Sequence, residues 1–103
     1  MSIPFRPITR VKDMLNSIGQ EMSYCYEDLV FLDHNAFLLQ MGEKGEDLYV
    51  HFNRDCPEKE RGPLLGKLKD AGAMQDLKVR FRGEYTLAPN EGDKEISIQF
   101  FPN

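Results

Sequence analysis

The N-terminal part of the chain carries the pattern of an amphipathic helix. Apolar residues recur there at helical spacing, and polar residues fall on the opposite side. Thr9 is a suitable N-cap, because its hydroxyl can accept a hydrogen bond from a free amide of the first turn. We therefore predict a helix over residues 9–22, after a short extended arm over residues 1–8. The apolar stripe consists of Val11, Met14, Leu15, Ile18 and Met22.

Apolar runs separated by polar turns follow the helix and predict three strands. The last run alternates strictly, so Tyr49 and His51 fall on the side opposite its apolar residues. Short polar links between such runs favour an antiparallel meander. The pattern leaves open whether residues 24–27 extend the helix or the first strand. The predicted strands cover residues 29–32, 36–41 and 48–53.

The second half of the chain predicts a helix and two more strands. Asp55, Pro57 and Glu58 are typical of a helix start, but Gly62 and Pro63 interrupt the helical pattern, whose strongest part runs over residues 63–71. The segment is therefore either one helix with a disturbed start or a turn followed by a two-turn helix. Residues 77–87 then alternate, and Gly83 within their apolar series predicts a bulge or bend. A loop over 88–94 precedes the last strand, whose pattern covers 95–101.

These elements define a single α+β domain over residues 1–103, in the order α-β-β-β-α-β-β, with a five-stranded antiparallel sheet or barrel. Without its first helix the order resembles the OB-fold, a five-stranded barrel with a helix between strands three and four. That resemblance implies a barrel that bends near Gly83 and a sheet face able to bind nucleic acid. The order also resembles the small acidic chaperones of type III secretion, which dimerise through helix and sheet and usually end in a further helix. An open curved sheet with two helices on one face, as in those chaperones, is the alternative fold.

Composition and the distribution of apolar residues bear on the compartment. Hydrophobic residues make up 41% of the chain and charged residues 29%, as in an ordinary globular protein. The first residues lack the apolar region of a secretory signal, and the longest apolar runs are far shorter than the ~20 residues of a bilayer span. We therefore expect a cytoplasmic protein without membrane contact, in which Cys25 and Cys56 remain thiols.

The net charge of −4 conceals a segregation of charge, since residues 20–53 sum to −6 and residues 54–82 to +3. A negative chain is not favoured as a dedicated nucleic-acid binder. The clearest basic feature of the chain is the set Lys78, Arg80 and Arg82. Because side chains alternate along a strand, these three are predicted to lie on one face of one strand. This face could contact a phosphate backbone, with Tyr49 as a stacking ring. The simpler interpretation is a solvated face whose charges pair with nearby carboxylates.

Cys56 is the one weak candidate for catalysis. It lies near a predicted helix N-terminus, where the helix dipole favours the thiolate, and His51 or His34 could act as its base if the side chains met within about 3 Å. The histidine and cysteine spacings do not match those of structural zinc ligands. No phosphate-binding loop, dinucleotide glycine pattern or nucleophile elbow occurs. The sequence therefore predicts no cofactor and no metal.

The leading functional hypothesis is a non-catalytic protein-binding or adaptor module that acts through a sheet face or edge, on another protein or on a second copy of itself. Two alternatives remain open, an OB-like nucleic-acid-binding domain that uses the basic strand face and a thiol-dependent enzyme or redox sensor at Cys56. The predicted binding residues are Tyr49, His51, Lys78, Arg80 and Arg82.

Overall fold

The computed structural model describes residues 7–34, 36–89 and 96–102, and these form two helices and six strands. The first six residues of the predicted arm and most of the predicted loop over 88–94 lie outside the described residues. Neither described helix combines the length and the hydropathy needed to cross a bilayer. The elements are α1 (Ile8–Ser17), β1 (Met22–Tyr26), β2 (Leu29–Leu32), β3 (Phe37–Met41), β4 (Asp47–Asn53), α2 (Glu58–Met74), β5 (Lys78–Pro89) and β6 (Ile96–Pro102).

The six strands lie side by side in chain order, in one sheet that curls into a half-barrel. Neighbours run antiparallel except β4 and β5, which are parallel. The 17 residues of α2 explain this exception, because a helix of that length spans about 25 Å and returns the chain to the end of the sheet where β4 began. The predicted α+β class is confirmed. The predicted five-stranded antiparallel sheet is wrong in strand number and in the direction of this one pair.

The additional strand is β1, part of which the sequence pattern assigned to the first helix. α1 ends at Ser17 instead of residue 22, and Gly19 follows with a φ of +76°, a left-handed conformation that is common just beyond a helix end. Met22 continues the helical spacing, but it packs against the core from a strand. Because β1 is a strand of its own, α2 lies between the fourth and fifth strands. The OB-fold resemblance placed it between the third and fourth.

The start of α1 differs from the prediction, whereas α2 is one helix with a disturbed start, the first of its two predicted forms. Thr9 lies inside α1, whose N-cap is Pro7 without a side-chain hydrogen bond. α2 starts at Glu58 and continues through Pro63, whose side chain is exposed. Pro63 removes one helical hydrogen bond. The first turn is held from outside the helix, since the guanidinium of Arg61 donates to three backbone carbonyls of the preceding loop.

The core lies between the two helices and one face of the sheet. α1 and α2 contribute to the same cluster as alternate residues of the strands, so both helices cover the same side. We call the opposite side of the sheet the open face. The core residues are Val11, Met14 and Leu15 of α1, Leu68 and Ala71 of α2, Val30, Leu32, Phe37, Leu39, Met41, Leu48, Val50, Phe52 and Val79 of the sheet, and Cys56 and Leu77 just outside these elements.

Gly72 lies where α2 packs closely against the sheet. A Cβ atom at Gly72 would lie 2.5 Å from Cγ2 of Val79, a buried β-branched side chain with little rotational freedom. A Cβ at Gly66, on the same helix, would meet nothing within 4 Å. We expect Gly72→Ala to lower the free energy of unfolding by about 1–3 kcal/mol and Gly66→Ala to raise it by about 0.5–1 kcal/mol. Urea unfolding of the two variants measures both changes, and effects of the same sign would contradict this packing.

Candidate functional site

A bulge in β5 lies at the end of the predicted basic strand face. Val50 pairs with Phe81 and His51 pairs with Gly83, so Arg82 is the extra residue on β5. The irregularity predicted at Gly83 is therefore present, immediately beside that glycine. It reverses the alternation of the residues that follow.

Glu84 and Tyr85, which follow the bulge, show this reversal. Glu84 pairs with Phe52, a core residue, and therefore lies on the helix side of the sheet. Tyr85 pairs with Asn53 and lies on the open face, where it is buried at 2% exposure. The sequence pattern had placed Tyr85 on the same side as the apolar residues before the bulge, and that placement is wrong.

The three basic residues of the predicted binding face all lie on the open face, but they have different neighbours. The guanidinium carbon of Arg82 lies 4.5 Å from the centre of the Tyr49 ring, and Arg80 is the register partner of Tyr49. Lys78 lies at the start of β5, with its Nζ 3.8 Å from a carboxylate oxygen of Glu46. The structure thus brings Tyr49, Arg80 and Arg82 together and places Lys78 beside the acidic turn before β4.

His51, the fifth predicted binding residue, is buried and not available to a partner. Its exposure is 2%, because the curl of the sheet brings Phe100 of β6 onto its ring, with 4.6 Å between the ring centres. Its register partner Leu38 is buried on the same face. Strand alternation had correctly placed His51 opposite the core. It could not show that β6 would cover this part of the open face.

A hydrogen-bonded chain fixes the protonation of His51. Gln40 Nε2 donates to Asp28 Oδ2 at 2.8 Å, and this turns Gln40 Oε1 towards His51 Nε2, 3.0 Å away. An amide oxygen can only accept, so His51 carries its proton on Nε2. His51 Nδ1 is a buried acceptor with no partner among the described residues. Burial, followed by the positive charge of Arg82, lowers the pKa of His51 to about 4, against the opposing effect of Asp28.

A cavity of about 420 Å³ opens beside this chain, between β4 and the turn that precedes it. Three carboxylates line it, those of Asp28, Glu43 and Asp47, together with the cations of Lys44 and Arg82. Carboxylates repel phosphate groups, so this mixture of signs differs from the uniformly positive groove that a nucleic-acid backbone favours.

Cys56 lies two residues before α2, in the wall of a second cavity of about 570 Å³. Its side chain is only 6% exposed, and the ionisable groups near it in this wall are the carboxylates of Asp55 and Glu60. Neither histidine lines this cavity, and no hydrogen bond joins Cys56 to a histidine. The described part of the chain contains no cluster of three or more His, Cys, Asp or Glu side chains that could hold a metal ion.

Sequence reasoning missed the exposed tyrosines of β1. Tyr24 and Tyr26 lie on the open face with exposures of 57% and 63%, while Cys25 between them packs against the core. The Tyr24 ring stacks on Phe31, with 4.6 Å between centres and 11° between planes. The signal was present in the sequence as a period-two alternation over residues 24–26. The longer helical stripe of the preceding residues obscured it.

The exposed tyrosines belong to a row that crosses the open face. Tyr26 pairs with Leu29, Leu29 with Gln40, and Gln40 with Tyr49, whose partner on β5 is Arg80. Strands lie about 4.8 Å apart, so the row extends for roughly 19 Å. The predicted residues Tyr49 and Arg80 and the missed tyrosines therefore share one continuous surface.

Comparison of the chain with known protein families, with curated proteins and with solved structures finds no match. Function is therefore inferred from the geometry and chemistry of the open face itself. Two properties of this face matter most: aromatic side chains in water at the β1 edge, and the exposed Arg80 at the other end of the row.

Proposed function

We propose that the chain is a protein-binding module that acts through the open face of its sheet at the β1 edge. The observation that carries this proposal is the exposure of Tyr24 and Tyr26, 57% and 63%, on a strand whose other side packs against the core. Contiguous aromatic and apolar surface left in water is typical of protein-interaction sites, where tyrosine is enriched. Covering this surface would contribute about 25 cal/mol to the free energy of binding for each Å² of apolar area removed from water.

The composition of the row supports a protein partner over a small ligand. It begins with exposed Tyr26, continues through half-buried Leu29, Gln40 and Tyr49, and ends with exposed Arg80. Aromatic side chains and arginine are the residues that contribute most to binding at protein interfaces. A strip of this length is also longer than a small cofactor requires.

Nucleic-acid binding receives less support from the same surface. Lys78 and Arg82 already contact Glu46 and Tyr49, and the nearby cavity is lined by three carboxylates. Such a surface would release few counterions from a phosphate backbone, and counterion release supplies most of the affinity for nucleic acid.

The thiol-dependent alternative also has weaker support. Cys56 is only 6% exposed, and no histidine base lines its cavity, so among the described residues the one activating group beside it is the Arg61 guanidinium. A nucleophilic thiol needs both access and an adjacent base or positive charge. These observations favour a structural role for Cys56 beside the start of α2.

Site-specific photo-crosslinking in the native cell tests the proposed surface. We expect a photoreactive phenylalanine at Tyr26 to give a discrete adduct, and the same group at Met74 to give none. Met74 is the matched control because it is 84% exposed at the end of α2, away from β1. Mass spectrometry distinguishes a second copy of the chain from another protein. A discrete adduct from Met74 but none from Tyr26 or Tyr24 would overturn the proposal.

A further inference from the structure

We propose that the β1 edge accepts an extended cationic segment of a partner protein as an additional strand. This inference rests on the proposed protein-binding function and specifies the chemistry of the partner. It combines three observations on the described residues: an unpaired strand edge, exposed tyrosines along that edge, and carboxylates at both of its ends.

The backbone of β1 is available on one side. Within the described part of the chain β1 pairs only with β2, so its outer amide and carbonyl groups have no neighbouring strand. Natural proteins protect such edges with Lys, Pro or bulges, and β1 contains neither Lys nor Pro. Its register shifts between Met22 and Tyr24, so Ser23 is bulged out of the ladder. The part of β1 with a regular backbone, along which a partner strand could pair, therefore runs from Tyr24 to Tyr26. This length suits a short peptide strand.

The segment of the chain that contains this edge carries charge of one sign. The 31 residues from 13 to 43 contain six Asp or Glu residues and no Lys or Arg. Glu21 and Glu27 flank β1 at its two ends, both are exposed, and neither forms an ion pair within the described residues. A partner strand with basic side chains would provide the missing counter-charges.

Strand alternation defines where those basic side chains would lie. On the open face they would stand beside Tyr24 and Tyr26, where a Lys or Arg head group can lie over a tyrosine ring at up to about 6 Å. On the other side the partner's residues would extend the core beyond Met22 and Cys25, so apolar side chains fit there. The matching segment thus alternates basic and apolar residues.

A second copy of this chain fits the same edge less well. Two β1 strands related by a two-fold axis pair antiparallel, which places Glu21 of one copy beside Glu27 of the other at both ends. Like charges opposite each other destabilise such a pair. The other sheet edge, β6, is also less suited, because its Phe100 packs on His51 and its Phe101 lies under Arg54, 3.6 Å from ring centre to guanidinium.

Titration of the full chain with three matched peptides, followed by backbone amide NMR, tests this inference. The first is a short blocked peptide that alternates Lys with Val, the second replaces each Lys with Glu, and the third is the Lys peptide with its backbone amides N-methylated. We expect the Lys peptide to bind with shifts centred on Tyr24–Tyr26, and each of the others to bind at least about tenfold more weakly. Equal binding of the N-methylated peptide would overturn strand addition. Equal binding of the Glu peptide would overturn the cationic partner.

Charge reversal on the protein provides the second measurement. We expect Glu27→Lys to weaken binding of the Lys peptide about tenfold and Glu58→Lys, an equal charge change on exposed α2 surface, to leave it unchanged. Equal weakening by both variants would show general attraction to an acidic protein and would overturn the inference, as would absence of Lys-peptide binding to the unmodified chain. In either case a discrete crosslink from Tyr26 would still support the proposed function, so the two proposals fail separately.

Discussion

Replacing Arg61 with alanine is expected to lower the free energy of unfolding by about 3 kcal/mol. The Arg61 side chain is only 16% exposed, and its Nη1 donates to Glu84 Oε2 at 2.8 Å. Its other nitrogens donate to the backbone carbonyls of Asn53, Arg54 and Cys56 at 3.0–3.2 Å. The hydrogen bond with Glu84 is the main reason that the pKa of Arg61 is raised, so the charge is retained.

The expected loss follows from what the substitution leaves behind. Without Arg61, three carbonyl groups lose a donor and Glu84 loses its close partner, while Arg54 remains at 3.8 Å and offsets part of that loss. Hydrogen bonds that involve a charged group contribute about 1.5–3 kcal/mol each before such compensation. Lysine should recover less than half of the loss, because an ammonium group cannot reproduce the planar fork of donors.

Urea unfolding of Arg61→Ala, Arg61→Lys and Lys59→Ala measures this contribution. Lys59 is the matched control, since it is an exposed cation in the same turn of α2, and its removal is expected to change stability by less than about 0.5 kcal/mol. If Lys59→Ala proved as costly as Arg61→Ala, the loss would come from helix charge and not from the contacts of Arg61.

Arg61 also shows why the sequence pattern left the start of α2 open. Gly62 and Pro63 are unfavourable in a helix interior, so local propensity indicated a break there. In the structure the helix begins five residues before Pro63, because Arg61 holds the first turn against the loop that follows β4. The contact of Arg61 with Glu84 joins residues far apart in sequence, and no local pattern reports it. The longer helix in turn determines the parallel direction of β5.

The strand patterns predicted which side chains face the core most reliably where one face of the strand is buried. The alternation of Leu48, Val50 and Phe52 correctly predicted the core side of β4, because burial on one face selects apolar residues at period two. The same reasoning failed after Arg82, since an inserted residue reverses the faces and period two cannot show which residue is inserted. It placed the Gly83 irregularity correctly because glycine within a strand weakens regular pairing.

The residues of the candidate site were also predicted only in part. The sequence placed Tyr49, Arg80 and Arg82 outward, and they are neighbours in the structure because β4 and β5 pair, which the sequence had left open. Tyr24 and Tyr26 were missed because the helical spacing that ends at Met22 competed with the strand pattern that begins there. The burial of His51 depends on the curl of the whole sheet, which no pattern within β4 contains.

This burial of His51 makes the protein's stability depend on pH. The pKa of His51 is about 4 in the folded chain, against an ordinary value of 6.5 that the unfolded chain should regain. Between these pH values the unfolded chain binds a proton that the folded chain does not, so acidification favours unfolding. The contribution is fully present above pH 6.5 and is lost as the pH falls towards 4, by up to about 3 kcal/mol.

Replacing His51 with glutamine should remove this dependence, because its amide can still donate to Gln40 Oε1 but does not titrate. We expect wild-type stability to fall by about 3 kcal/mol more than that of His51→Gln between pH 6.5 and about 4, in urea unfolding at each pH. His34→Gln is the control, since it removes an exposed histidine and should leave the His51 contribution in place. NMR titration of the His51 ring gives the pKa directly and reports whether Nε2 carries the proton. A pKa near 6.5, or parallel pH profiles for wild type and His51→Gln, would show that the curled sheet does not seal this side chain from water.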